Sequence, residues 1–580
     1  MLTLQHGVGV TWRHKCCPPR SSSSFRADDT RSTSDGFHSL FRLAHGSLSA
    51  SAAATGAEQL ALGKALIEEV ETIAARLATD GQPRIRELLA QSENIRNRIS
   101  ALTRSPDVTA WLQERMAWQN SERDKLEKEL SDVEQKLATA NESVAQVVRE
   151  QSLSLRDIAQ SLPQDSVFID FIQYRLYDPT AKTNQWKEQR YAAYLTFPSA
   201  KDSAEVVVEH VDLGDAAPIN EAVELICKRM SAGQFAAKDL PPAFKRLSDL
   251  VYAPLSKHLA NTSHLIICPD GQLSRIPFEA LPVGNKFLLE EKTISYVTSG
   301  REVVRLAAKT TKTENSKSLV MGNPDFDFDL AKARPSNSAT HATETAQLRS
   351  LSRDYRGLKF KQLSGSEAEA RSVAKLLGED SVLRVGAEAR ETELKTVKSP
   401  RVLHLATHGF FLSDQEFKQA NSPAFNFLQS AKAETQNDWE NPMVRCGIAL
   451  AGANRAQKIT NAAEEDGVLT GLEASLLNLH GTELVILSAC DSGKGEVKIG
   501  EGVMSLRRAF RIAGAQSVFA SHWQVSDKAT NQLMTEFMRR WQAGEPRAKA
   551  WREAQLSLLR SKDFSNPYFC AAFTLTGQWR

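Results

Sequence analysis

A mostly parallel α/β sheet flanked by helices, preceded by an antiparallel β meander and an N-terminal helical region with coiled-coil heptads, is the fold class this sequence predicts. Three observations lead there. Short continuous apolar runs, Leu484 to Leu487 among them, alternate with helix-period segments through the second half, the pattern of βαβ units. Between Ser166 and Gly214, β-rich runs follow one another with only polar turns between them. From Leu60 to Val148, apolar residues keep a three-to-four spacing.

The chain has 580 residues, of which 41% are hydrophobic, enough for sizeable cores in three or four domain-sized units. Its 72 basic and 70 acidic residues leave a net charge of +2, which gives no basic footprint for nucleic acid. No apolar run reaches the ~18 residues that would span a bilayer. The seven cysteines are odd in number, scattered and without a CxxC pair. A disulfide scaffold or zinc ribbon is therefore not expected, and a reducing, cytoplasmic setting fits better. His404 and His408 make an HxxxH spacing, but the central Glu of a zinc helix is absent and the flanks read as strand.

Taken in order, residues 1–58 are Ser-rich with little apolar periodicity and are expected to be disordered. The first 27 residues lack acids, as transit peptides do, although no amphipathic helix accompanies them. Residues 59–155 read as helical, with Leu126, Leu130, Val133, Leu137, Ala140, Val144 and Val147 at heptad a and d places. Such a seam suits a neighbouring helix, a second protomer or the next domain. Residues 156–580 then form one domain. Strands are expected at 166–172, 190–197 and 205–213, followed by helices near Asn220–Met230 and Pro242–Leu259. The alternation continues with a strand at 264–271, a Pro277-led helix start, a strand at 318–324, and a helix opening at Ser366 with Glu369 completing a capping box. Further strands are expected at 381–385, within 401–409 where Val402, Leu403 and Leu405 are apolar, and over the apolar run 484–487. Helices from Gly502 and from Asp527 flank a last strand, QSVFASHW.

Two of these strands end in reactive groups. RVLHLATHG stops at His408-Gly409, and ELVILSACDSG delivers Cys490. In open parallel sheets such groups collect beyond the carboxyl ends of the strands, so neighbouring strands would bring thiol and imidazole to one rim. A thiol of pKa about 8.5 needs a base, which His408 can supply. The backbone N–H groups of Gly409 and Cys490 are candidate oxyanion donors, and Gly493 and Gly495 permit a tight turn past the nucleophile. A lone strand-end cysteine in a buried run is usually a small core residue, and His404, between Leu403 and Leu405, reads as a core histidine. His480 and His522 are competing bases.

At this point the chain resembles the CHAT domain, a caspase-like cysteine peptidase family in the caspase, gingipain and separase clan. The resemblance is carried by PDGQLSRIPFEALP (269–282), VLHLATHGFF (402–411), EDGVLTGLEASLLNLHGTELVILSACDSGKG (465–495), GEGVMSLRRAFRIAGAQSVFASHWQVSD (500–527) and PYFCAAFTLTG (567–577). It implies a caspase-like fold and a regulated endopeptidase with a His408/Cys490 dyad and no metal or organic cofactor. It also implies that a buried acid selects a basic residue before the scissile bond, for which Asp466 and Asp491 are the candidates; otherwise Asp466 caps a turn and Asp491 faces solvent. Cys446 and His522 stand where the family usually has Ser and Leu, and tetratricopeptide repeats are missing. Residues 414–440 are a polar insertion, read as a solvated loop or a lid. Expected partners are a protein substrate and a regulatory protein or second copy bound through residues 60–150, with no nucleic acid or membrane. The alternative is a non-catalytic scaffold; a hydrolase of other amides or thioesters would share the dyad.

Overall fold

The fold comes from a computed structural model that describes residues 50–65, 153–177, 186–200, 203, 205–308, 316–330, 358–412, 442–458, 465–489, 495–498, 502–523 and 526–580, with isolated positions between 68 and 136. Most of the heptad seam, the 414–440 insertion, Cys490, Asp491 and Gly493 lie outside the described residues.

The strands in chain order are β1 (Ser166–Tyr177), β2 (Trp186–Thr196), β3 (Val208–Asp215), β4 (His264–Cys268), β5 (Pro282–Val283), β6 (Lys286–Phe287), β7 (Thr293–Tyr296), β8 (Ser318–Pro324) and β9 (Ser381–Gly386). They continue with β10 (Val402–Thr407), β11 (Gly409–Phe411), β12 (Cys446–Ala449), β13 (Val468–Thr470), β14 (Leu484–Ala489), β15 (Glu496–Lys498), β16 (Gly502–Met504), β17 (Ser517–Ser521) and β18 (Phe573–Gly577). Eleven of them form one sheet in the order β3-β2-β1-β4-β7-β18-β17-β14-β10-β8-β9. β1 to β3 are the antiparallel meander. Two parallel blocks follow. β1, β4, β7 and β18 run one way, β17, β14, β10, β8 and β9 the other, and the antiparallel β17–β18 pair joins them.

Side-chain alternation sorts the second block into two cores. Val402, Leu484, Ile486 and Phe519 face α6 (Ser364–Leu377) and α8 (Asp527–Gln542), sharing a cluster with Ala370, Val373, Leu533, Met534 and Phe537. Leu403, Leu405, Val485, Leu487, Val518 and Ala520 face the other way and pack with Leu506, Ala509 and Phe510 of α7 (Leu506–Ile512). The longer helices before them are α1 (Ala50–Gly63), α2 (Leu155–Ser161), α3 (Ala216–Ser231), α4 (Leu240–Val251) and α5 (Gly300–Ala307); α9 (Arg547–Leu559) follows α8.

Four expectations change. α1 begins at Ala50, inside the 1–58 segment expected to be disordered: the Ala-rich run favours helix and buries Ala52, Ala53, Ala57 and Ala61. α6 starts at Ser364, so Ser366 sits inside the first turn and donates to the Leu363 carbonyl instead of capping. The Pro277-led helix is only a single 3₁₀ turn, Phe278–Ala280. Residues 502–504, expected as helix, pair with β15. β7, β18 and α9 had no counterpart in the sequence reading. Among the described residues no helix is long and apolar enough to cross a membrane.

Candidate active site

β10 and β14 are buried along nearly their whole length, and they are hydrogen-bonded parallel neighbours. Their last paired residues are Thr407 and Ala489. The Ala489 carbonyl accepts from the Ser521 hydroxyl (2.7 Å), which fixes the end of β14 against β17. His408 follows directly on β10. Its Nε2 is 2.8 Å from the Lys361 carbonyl, an acceptor only, so Nε2 carries the proton and Nδ1 is the basic nitrogen. The ring lies between Phe326 and Phe360, with centroids 5.4 and 5.5 Å away. Burial pulls the imidazole below its ordinary pKa, opposed by the Lys361 carbonyl and the Asp527 carboxylate. Asp527, at the start of α8, is itself pushed up by burial and by Glu369, and drawn back by His408 and the Gly365 amide.

Beneath His408 a polar column runs through the α6 face of the sheet. His404 is fully buried with Nε2 2.9 Å from Oε1 of Glu369, close enough for an ion pair but not aligned as a hydrogen bond. The other Glu369 oxygen accepts from the Ser488 hydroxyl at 3.0 Å. Glu369 thus ties α6 to both strands, which is why it is not free to close a capping box. The HxxxH spacing spreads along a strand, and its two rings reach different partners.

Gly409 opens β11, which pairs with β12. The Ala449 N–H donates to the His408 carbonyl and the Leu412 N–H to the Arg445 carbonyl, so the Gly409↔Ile448 pair is the non-hydrogen-bonded kind. Its N–H points away from the ladder. Asp466 lies just before β13, with Oδ1 accepting from the Val468 N–H (2.8 Å), the turn-capping role. Next to it, burial raises Glu391 to about 8, while Lys395, paired with Glu391 and Glu473, opposes that rise. Cys446 is a buried thiol pushed up to about 12 by burial.

The competing histidines separate from this arrangement. His480 precedes the amino end of β14, a strand length from its carboxyl end. His522 follows β17 but turns to Thr574 on β18, with Nε2 3.0 Å from the hydroxyl. The Lys361 carbonyl, Asp527, Glu369 and Ser488 were not singled out for these roles in the sequence. Glu369 left a signal: it interrupts the buried face that α6 makes with Ala370, Val373 and Leu377.

A family model described as "CHAT domain" matches residues 241–578. The chain is 25% identical over 358 residues to tetratricopeptide repeat protein 28 of Mus musculus, and 26% identical over 361 residues to that of Homo sapiens. In both cases 58% of this chain and only 13% of the relative are covered. Among solved structures, the Saccharomyces cerevisiae separase–securin complex aligns with 86% of this chain and 27% of that one, at 10% identity and a TM-score of 0.30. The Arg-specific cysteine proteinase gingipain R aligns with 62% and 74%, at 8% identity and a TM-score of 0.33.

Proposed function

Since this chain belongs to the CHAT-domain family, we propose that it is a cysteine endopeptidase in which His408 and Cys490 form the reacting pair. The observation that carries the reading is the Thr407–Ala489 pairing: the next residue on each chain is one of the two. Nδ1 of His408 takes the thiol proton, and the thiolate attacks the peptide carbonyl carbon. The developing oxyanion is met by the N–H groups of Gly409 and Cys490. The imidazolium then protonates the leaving amine as the C–N bond breaks. A water, giving its proton to the same nitrogen, hydrolyses the thioester and restores the thiol. Through these steps the Lys361 carbonyl keeps Nε2–H in place, while Asp527 favours the charged ring.

Peptide hydrolysis together with iodoacetamide labelling of Cys490 across pH tests this. The native chain is expected to label at Cys490 earlier than at its other thiols, and His408→Ala to lose that preference. Labelling of Cys490 no faster than a buried thiol, with no turnover of any peptide, would support instead a scaffold that keeps the fold to bind partners. That second reading draws on the relatives, which are tetratricopeptide repeat proteins by name.

Asp466 and Asp491 are the proposed acids of the pocket for the residue before the cut. A peptide with Arg there is then cut faster than one with Asp, and equal or reversed rates would remove the assignment. Residues 60–150 are the proposed docking segment for a regulatory protein or a second copy.

A further inference from the structure

α7 carries Arg507, Arg508 and Arg511 on the side of the sheet opposite α6, and they line a cavity of about 50 Å³ together with Lys64, Glu68 and His522. A water needs roughly 10–15 Å³ measured this way, so the space holds a few waters or one tetrahedral group. Most of its charges are answered. Lys64 is paired with Asp170, and Arg511 with Glu302 and the carbonyls of Ala515 and Gln516. The carboxyl of Glu68 is pushed up by burial and held back chiefly by Arg508. Arg507 differs. Its hydrogen bond is a long one, 3.4 Å to the Thr574 hydroxyl that also meets His522, and among the described residues no carboxylate lies within ion-pair distance of it. Arg507 is partly buried, and the carboxylate that acts on it, Glu68, does so across the cavity and not as an ion pair, so its forked donors remain suited to an oxyanion. Burial holds Arg507 below its ordinary pKa, opposed by Tyr296 and Glu68.

We propose that this cavity binds a single oxyanion group, a phosphate or a carboxylate, held by Arg507 with Arg508 and the His522–Thr574 pair beside it. The position gives the site reach. Val503 of β16 lines the same cavity, and His522 follows Ser521, whose hydroxyl holds the Ala489 carbonyl. An anion here touches β16 directly and reaches the end of β14 through His522 and its neighbour Ser521. His522, a departure from the family's usual residue, thereby acquires a role away from the dyad. The proposal stands whether or not the chain is a peptidase.

The test is thermal unfolding of the full chain titrated with inorganic phosphate, with acetate, and with chloride at matched ionic strength, for the native protein and Arg507→Gln. Phosphate also stabilises proteins generally by exclusion, a response that does not saturate and is shared by the variant. The native chain is expected to show a saturable rise in Tm with phosphate, acetate or both, and the more effective of the two identifies the group. Arg507→Gln is expected to need at least about tenfold more ligand, the loss of one charge-assisted hydrogen bond. Superimposable native and variant curves would overturn the proposal. Should Arg507→Gln fail to fold, phenylglyoxal labelling of the native chain, mapped by mass spectrometry, decides: Arg507 should be protected by the effective anion and not by chloride, and equal labelling would overturn the assignment.

Discussion

β1 beside β4 and β10 beside β14 are both parallel pairs with buried cores, and in each the second strand runs into a cysteine. They are finished in opposite ways. At the first, Asp170 pairs in register with Cys268, and the amino group of Lys64 reaches across from the end of α1 to lie 2.6 Å from the Asp170 carboxylate and 3.7 Å from the Cys268 sulfur. Lys64 and Asp170 are almost fully buried, and burial followed by the Asp170 charge drives the Cys268 thiol well above its ordinary pKa. At the second, no lysine closes over His408 among the described residues; a half-buried imidazole stands there with one nitrogen tied to a carbonyl and the other free to act as a base. A cysteine at a strand end is therefore not informative by itself. What would set the proposed pair apart is a neighbour that can accept a proton and release it, where Lys64 only neutralises a fixed charge.

The comparison breaks most sharply at the thiols. Cys490→Ala is expected to lower peptide hydrolysis by about 10⁴-fold or more, by analogy with nucleophile knockouts, whereas Cys268→Ala should leave turnover within about twofold, since an inert buried thiol contributes packing alone. Matched kinetics on the two variants check this. The next effect is on stability. Lys64→Met strands a buried carboxylate, which costs about 3–5 kcal/mol, and adding Asp170→Leu should recover most of it; urea midpoints of the single and double variants measure both.

A third prediction concerns Glu279, which follows β4 at the sealed end. It is buried, accepts from the Tyr296 hydroxyl at 2.6 Å, and is raised by burial from 4.5 to about 7. Because its folded pKa lies above the unfolded one, its stabilising contribution is fully present below about pH 4.5 and is lost as pH rises through about 7, a span of about 3 kcal/mol. Glu279→Gln should flatten stability against pH over that window, as read from denaturation at a series of pH values. The smallest effect sharpens the open end. Asp527→Asn removes a charge that favours the imidazolium, so the His408 titration followed by NMR should move to lower pH.

How much of this was legible in the sequence depends on the range of the interaction. β10 and β14 announce themselves through continuous apolar runs, and their alternation correctly assigns His404 to the interior. β7 and β18 escape because TISY and FTLTG are short and half polar, and their places in the sheet are supplied by neighbours from distant parts of the chain. The capping box fails because Glu369 finds His404 and Ser488, partners that only the folded sheet brings to it. Lys64 and Asp170 are 106 positions apart, and the group that orients His408 is a backbone carbonyl 47 residues upstream, which no side-chain pattern encodes. Cys490 and Asp491 remain as the sequence left them, candidates defined by their place after β14.

The proposed peptidase requires positions 408 and 490 to stand side by side beyond two paired strands. Replacing His408 by Cys and oxidising the folded chain tests it without reference to activity, because a disulfide forms only between Cα atoms roughly 4.4–6.8 Å apart. Peptide mapping is predicted to find position 408 linked to Cys490 in most molecules. Recovery of both as free thiols under conditions that oxidise a control pair would mean that the two positions are not neighbours.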